Sequence, residues 1–141
     1  MQQQQISAIT LGIADLDASA RFYGQGFGWA PVFRNEEIIF YQMNGLMLGT
    51  WLKASLEEDL GAASLPIPGA FSLAHNVAAK RDVGPLMDAL VAAGGTLVRA
   101  ASEPPPGGFR GHVADPDGHV WEIAWNPAWP IDAEGHVTFG V

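Results

Sequence analysis

Cysteine is absent from the 141 residues, so neither a disulfide framework nor thiolate chemistry is available, and a reduced cytoplasm is the expected setting. Basic residues are scarce: 7 Lys and Arg stand against 15 Asp and Glu, for a net charge of −8. No Lys/Arg cluster supplies the footprint that nucleic acid needs, so nucleic acid is not an expected partner. No apolar stretch approaches the roughly 20 residues that cross a bilayer, and the opening MQQQQ carries neither a basic region nor a signal core. A membrane is therefore not expected either. What is present, 48% apolar and 16% charged residues, is globular composition with material for one domain and a sizeable core. The acidic field suits a neutral or cationic small molecule.

The apolar pattern repeats. ISAITLGI alternates as a strand, with Ser7, Ile9, Leu11 and Ile13 on one face and Ile6, Ala8, Thr10 and Gly12 on the other. DLDASARFYGQGFG reads as a helix with Asp15 or Asp17 at its N-cap and glycines at its end. APVFRN, EEIIFYQMNG and LMLGTWL read as three strands. Residues 54–70 hold a short acidic helix, SLEEDLGAA, and a Pro/Gly linker, SLPIPGA. The same order then returns. FSLAHNV is a strand, and RDVGPLMDALVAAGG a helix capped by Asp82 and closed by Gly94 and Gly95. TLVRA, FRGHVAD and HVWEIAW are three further strands, with SEPPPGG as a rigid loop before the second. The reading is α+β: two tandem βαβββ modules, about 6–53 and 71–127, form a curved, mostly antiparallel sheet around a cleft. The tail 128–141 is left unassigned.

The duplicated module, with LGIADLDASARFY opening the first half and DPDGHVWEIAW closing the second, resembles the vicinal oxygen chelate superfamily. That superfamily includes glyoxalase I, bleomycin resistance proteins and extradiol dioxygenases. The resemblance implies a ligand cleft commonly completed by a second chain, hence a homodimer. In metal-dependent members it also implies four ligand positions, which fall here on Ala8, Leu48, Ser72 and Glu122. Glu122 alone is a good ligand: Ala8 and Leu48 have no donor, and a serine hydroxyl is rarely a primary ligand for zinc, nickel or iron. No metal and no other cofactor is expected. A divalent ion held weakly by Glu122 and waters is the alternative.

Strand parity places Val120, Glu122 and Ala124 on the cleft face of the last strand and His119, Trp121, Ile123 and Trp125 on the helix face. If Ala114 pairs with Val120 across the Asp115-Pro116-Asp117-Gly118 turn, His112 faces Glu122 and Arg110 faces Ala124. A two-residue slip would put Arg110 opposite Glu122 instead. The expected cleft wall is Thr10, Thr50, Ser72, Asn76, Arg110, His112 and Glu122. The plainest role for Glu122 is an ion pair with Arg110 or His112 that fixes register. The catalytic alternative is proton transfer between Glu122 and His112. His75 falls on the core face and reads as a hydrogen-bonded structural histidine, His119 as a solvated one. Trp51, Trp121 and Trp125 fall on the helix side, while Trp29 and Trp129 lie in loops that could border the cleft or a dimer contact. The turn carboxylates are too few for a calcium site.

Three functions fit: a metal-free protein that binds a small molecule between the modules, a metal-dependent lyase, isomerase or dioxygenase of the glyoxalase I type, and a metal-free acid/base enzyme. The first is the leading expectation, because three of the four implied ligand positions lack a good donor.

Overall fold

A computed structural model of the chain describes residues 2–61, 66, 68–105 and 107–139. Parts of the expected acidic helix and linker (62–65 and 67), Pro106 of the SEPPPGG loop and the end of the tail (140–141) lie outside the described residues.

The first module runs β1 (Ala8–Ile13), α1 (Leu16–Arg21), β2 (Phe33–Arg34), β3 (Ile38–Gln42) and β4 (Met47–Leu52). Asp15 is the N-cap of α1, and its carboxylate accepts from the Ala18 amide at 2.8 Å. The helix does not continue as α through Gly28: its last turn, Phe22–Gly26, widens to a π-helix, which brings both Phe22 and Tyr23 into the core. After α2 (Lys53–Leu60), where an acidic helix was expected, the second module repeats the order. It contains β5 (Leu73–Asn76), α3 (Val83–Ala92), β6 (Thr96–Ser102), β7 (Phe109–Ala114) and β8 (Val120–Trp125). Asp82 occupies the N-cap position of α3 but makes no side-chain cap bond, because a 3-10 turn over Lys80–Asp82 already leads into the helix.

The chain is α+β, with two four-stranded sheets of order β1-β4-β3-β2 and β5-β8-β7-β6. Each has one parallel pair and two antiparallel pairs. The β7–β8 register is the first of the two alternatives: Ala114 faces Val120, His112 faces Glu122, and Arg110 faces Ala124.

Both sheets contribute to one core. Leu11, Ile39, Tyr41 and Leu48 from the first module pack in the same cluster as Val83, Met87, Leu90, Val113, Trp121 and Ile123 from the second. Phe22 and Tyr23 sit between them. Burial of side chains this size stabilises by about 1.5–3 kcal/mol each, so the shared cluster ties the two modules together.

Candidate functional site

The joint core fixes which sheet faces remain for a ligand. In the first sheet Leu48 and Thr50 pair with Tyr41 and Ile39 on the core face, whereas Ala8, Thr10 and Gly12 share the opposite face with Met47, Gly49 and Trp51. Thr50 is therefore not a cleft residue: it is fully buried, with its hydroxyl 3.5 Å from the Ile39 carbonyl. Trp51 is likewise off the helix side, on the face with Thr10, and its indole N–H is buried without a hydrogen-bond partner. LMLGTWL alternates well in either phase, so parity within the strand could not choose. The pairing with β1 and β3 does.

The second sheet follows the expected parity. Ala74 pairs with Glu122, Asn76 with Ala124, Arg110 with Ala124 and His112 with Glu122, all on one face. His112 Nε2 lies 3.5 Å from Glu122 Oε2, with both side chains partly exposed. Solvent screening limits such a pair to roughly 1 kcal/mol or less, and only while the imidazole is protonated. Arg110 does not pair with Glu122; its guanidinium donates to Ser102 Oγ at 2.9 Å. Ser72 precedes β5 and stands outside the ladder.

A cavity of about 270 Å³ borders this face; Glu122, Arg110, Asn76 and Asn126 are its polar lining residues, and Phe109, Trp125 and Trp129 line it as well. Pro104 and Gly107 border it, so the SEPPPGG loop forms part of the rim. Gly108, at φ +89°, brings the loop close against β8: a Cβ there would sit 2.8 Å from the Trp125 carbonyl oxygen. Thr10 borders a different cavity from the one that Glu122 lines.

The donor set was tested against the metal that the resemblance implies. Leu48 is a core residue and Ser72 lies outside the sheet, and the open-face parallel pairs nearest the implied positions are Thr10 with Gly49 and Ala74 with Glu122. Glu122 has His112 beside it as a second metal-type donor, and the Thr10 hydroxyl lies on the other sheet, so the implied four-ligand set is not formed. Among the described residues, the clustered ligand-type groups are Asp132, Glu134 and His136, all exposed in the tail. There Asp132 accepts from the Glu134 and His136 amides at 2.9 and 2.8 Å, and these backbone bonds, first that of His136, lower its carboxyl pKa.

Two histidines differ from expectation. His119 is buried, not solvated: its Nε2–H donates to the Gly12 carbonyl at 2.8 Å, and Nδ1 is enclosed without a partner. His75 does lie on the core side, but it is packing that holds it, with no hydrogen bond to its ring among the described residues. Its ring meets Phe27 and Trp29 edge-on, at centroid distances of 5.4 and 5.8 Å, and burial lowers its pKa. The turn carboxylates, too few for a calcium site, join the modules. Asp115 accepts from the Asp117 and His119 amides and also from Tyr23 Oη, while Asp117 accepts from the Ala14 amide. Burial and then Asp115 itself push the Tyr23 phenol pKa well up.

The solved structure of a glyoxalase-related enzyme from Fulvimarina pelagi is 66% identical over 99% of this chain and 100% of that one, with a TM-score of 0.96. A glyoxalase/bleomycin resistance protein/dioxygenase family enzyme from Burkholderia phytofirmans PsJN is 24% identical over 84% of this chain and 96% of that one, with a TM-score of 0.77. A lactoylglutathione lyase from Agrobacterium tumefaciens is 21% identical over 91% and 98%, with a TM-score of 0.67. These last two likenesses concern the fold. No curated protein matches the chain. The profile of the Glyoxalase/Bleomycin resistance protein/Dioxygenase superfamily matches residues 5–123, most of the chain, and the protein belongs to that superfamily.

Proposed function

We propose that the protein binds a small organic molecule on the open face of the second sheet, without a metal. The observation that carries this reading is the lining of the cavity there: a partly exposed carboxylate in a pocket that Phe109, Trp125 and Trp129 also line, with Ala74 and no metal donor opposite it on the parallel strand β5. An aromatic wall with one carboxylate suits a neutral or cationic ligand, which stacks on the rings and is oriented by Glu122. Arg110, held by Ser102, would anchor an anionic group at the other end.

A second reading rests on the 3.5 Å contact between His112 and Glu122. That geometry allows the pair to exchange a proton with an enolisable carbonyl substrate, Glu122 or neutral His112 acting as base and the protonated imidazole as acid. The 66% identical relative is described as an enzyme, which favours keeping catalysis in view.

We place a homodimer in the same proposal. Exposed Phe33 on β2, and Leu97 and Val98 on β6, put apolar side chains on the outermost strands of the two sheets, which supports self-association.

The test has two arms. Metal content is measured on untagged protein purified without chelator, and divalent ions are titrated against thermal stability. A cationic and neutral ligand library is then screened against wild type and Glu122→Gln. Substoichiometric metal, no thermal gain, and hits lost in Glu122→Gln are expected. Stoichiometric metal released by Glu122→Gln would overturn the metal-free reading.

A further inference from the structure

The two modules are related by topology, so the two ends of the seam between them can be compared. At one end the β7–β8 turn docks on the free edge of β1: His119 Nε2 reaches the Gly12 carbonyl, and Asp117 takes the Ala14 amide. At the other end the corresponding β3–β4 turn, closed by Met43 N–H to the Leu46 carbonyl, should dock on the free edge of β5. Among the described residues no hydrogen bond joins them. A cavity of about 820 Å³ lies there instead.

The walls of this cavity have a definite chemistry. The Val77 amide donates to the Ala124 carbonyl, so odd-numbered residues of β5 point their backbone groups at β8. Ala74 and Asn76 therefore present N–H and C=O on the free edge, and both line the cavity. Beside them stand Trp29 and His75, whose ring nitrogens make no hydrogen bond among the described residues. The tail supplies the remaining wall. Ile131 bridges Val137 in a small hairpin, and Asn44 Nδ2 ties it down by donating to the Gly135 carbonyl at 3.2 Å. The volume lies within the range of roughly 300–1,000 Å³ common for ligand pockets.

We propose that this cavity is a second binding site, on the opposite side of β5 from the Glu122 pocket, for a neutral planar heterocycle with a donor and an acceptor on one edge. Such an edge pairs with the unpaired strand backbone as another strand would, and the ring system packs on Trp29 with a further ring nitrogen accepting from the His75 N–H. Asp82 also borders the space and disfavours an anion.

The probe is quinazolin-4(3H)-one, a bicycle with adjacent lactam N–H and C=O, titrated into the full chain and followed by NMR. Expected are saturable shifts of the Ala74 and Asn76 amides, the His75 ring and the Trp29 indole. The N3-methyl derivative, which lacks the donor, should bind about tenfold more weakly, the worth of one net hydrogen bond. His75→Phe and the cavity-filling Ala78→Trp should each weaken binding at least as much, with the amide spectrum reporting that they fold. Glu122→Gln should leave it unchanged, which separates this site from the one proposed above. The proposal is overturned if no shifts appear up to the solubility limit, or if they map to Arg110 and Trp125 and vanish in Glu122→Gln. It is equally overturned if Ala78→Trp binds as wild type, or if binding disappears on dimerisation because a second copy covers the β5 edge.

Discussion

Tyr23 Oη donates to Asp115 Oδ2 at 2.6 Å, and the two residues, 92 apart in sequence, belong to different modules. The Trp121 indole N–H donates in turn to Tyr23 Oη at 3.1 Å. Tyr23→Phe leaves a buried carboxylate short of one donor and an indole without its acceptor. We expect a loss of about 1–3 kcal/mol in urea unfolding, with the slope of the transition unchanged.

The same phenol gives a pH prediction. Its pKa in the folded protein is raised well above 10.0, chiefly by burial, so above that pH the unfolded chain loses its proton before the folded chain does. Stability from this group is complete below about pH 10 and falls as pH rises further. Tyr23→Phe should flatten the alkaline limb of a stability-versus-pH curve. An unchanged limb would place the titration elsewhere.

His75 has the opposite sign. Burial lowers its pKa from 6.5, so as pH falls through and below that value the unfolded chain takes up a proton that the folded chain resists. The folded state thus loses stability on the acid side. His75→Phe, which keeps an aromatic ring against Phe27 and Trp29, should gain on wild type as pH drops from 7.5 to 5 in paired chemical denaturation curves.

Leu48 decides between two accounts of β4. As a buried core residue at 2% exposure, it should cost about 2–5 kcal/mol on truncation to Ala. A position facing a ligand cleft would give a change near zero in urea unfolding. The conservative Thr50→Val, on the same face, should stay within about 1 kcal/mol because its hydroxyl bond is long.

Local pattern carried much of this structure. FSLAHNV and HVWEIAW alternate with Glu122 out of phase with Trp121 and Ile123, so their faces could be read, whereas the Asp-Pro-Asp-Gly turn left two β7–β8 registers open and the strand pairing selects His112 opposite Glu122. LMLGTWL has apolar or aromatic residues in both phases, so Thr50 and Trp51 could be placed only by pairing with β1 and β3. The burial of His119 was also hidden, because its partner is a backbone carbonyl 107 residues away and leaves no trace in side-chain spacing. The break in the first helix follows the same logic: the π turn at Phe22–Gly26 serves aromatic packing against Trp121 and Phe27, not helix propensity.

The lock between β1 and the last hairpin also has a kinetic side. Gly12 meets His119 and Ala14 meets Asp117 across separations of 107 and 103 residues, so these bonds close loops that span most of the chain. Closing such loops costs entropy before any contact repays it, which slows folding relative to a chain of local contacts. On the ribosome, β1 can pair with β4 early, but the outer end of its free edge stays open until residue 119 has emerged. The last third of the protein thus serves as the latch for its beginning.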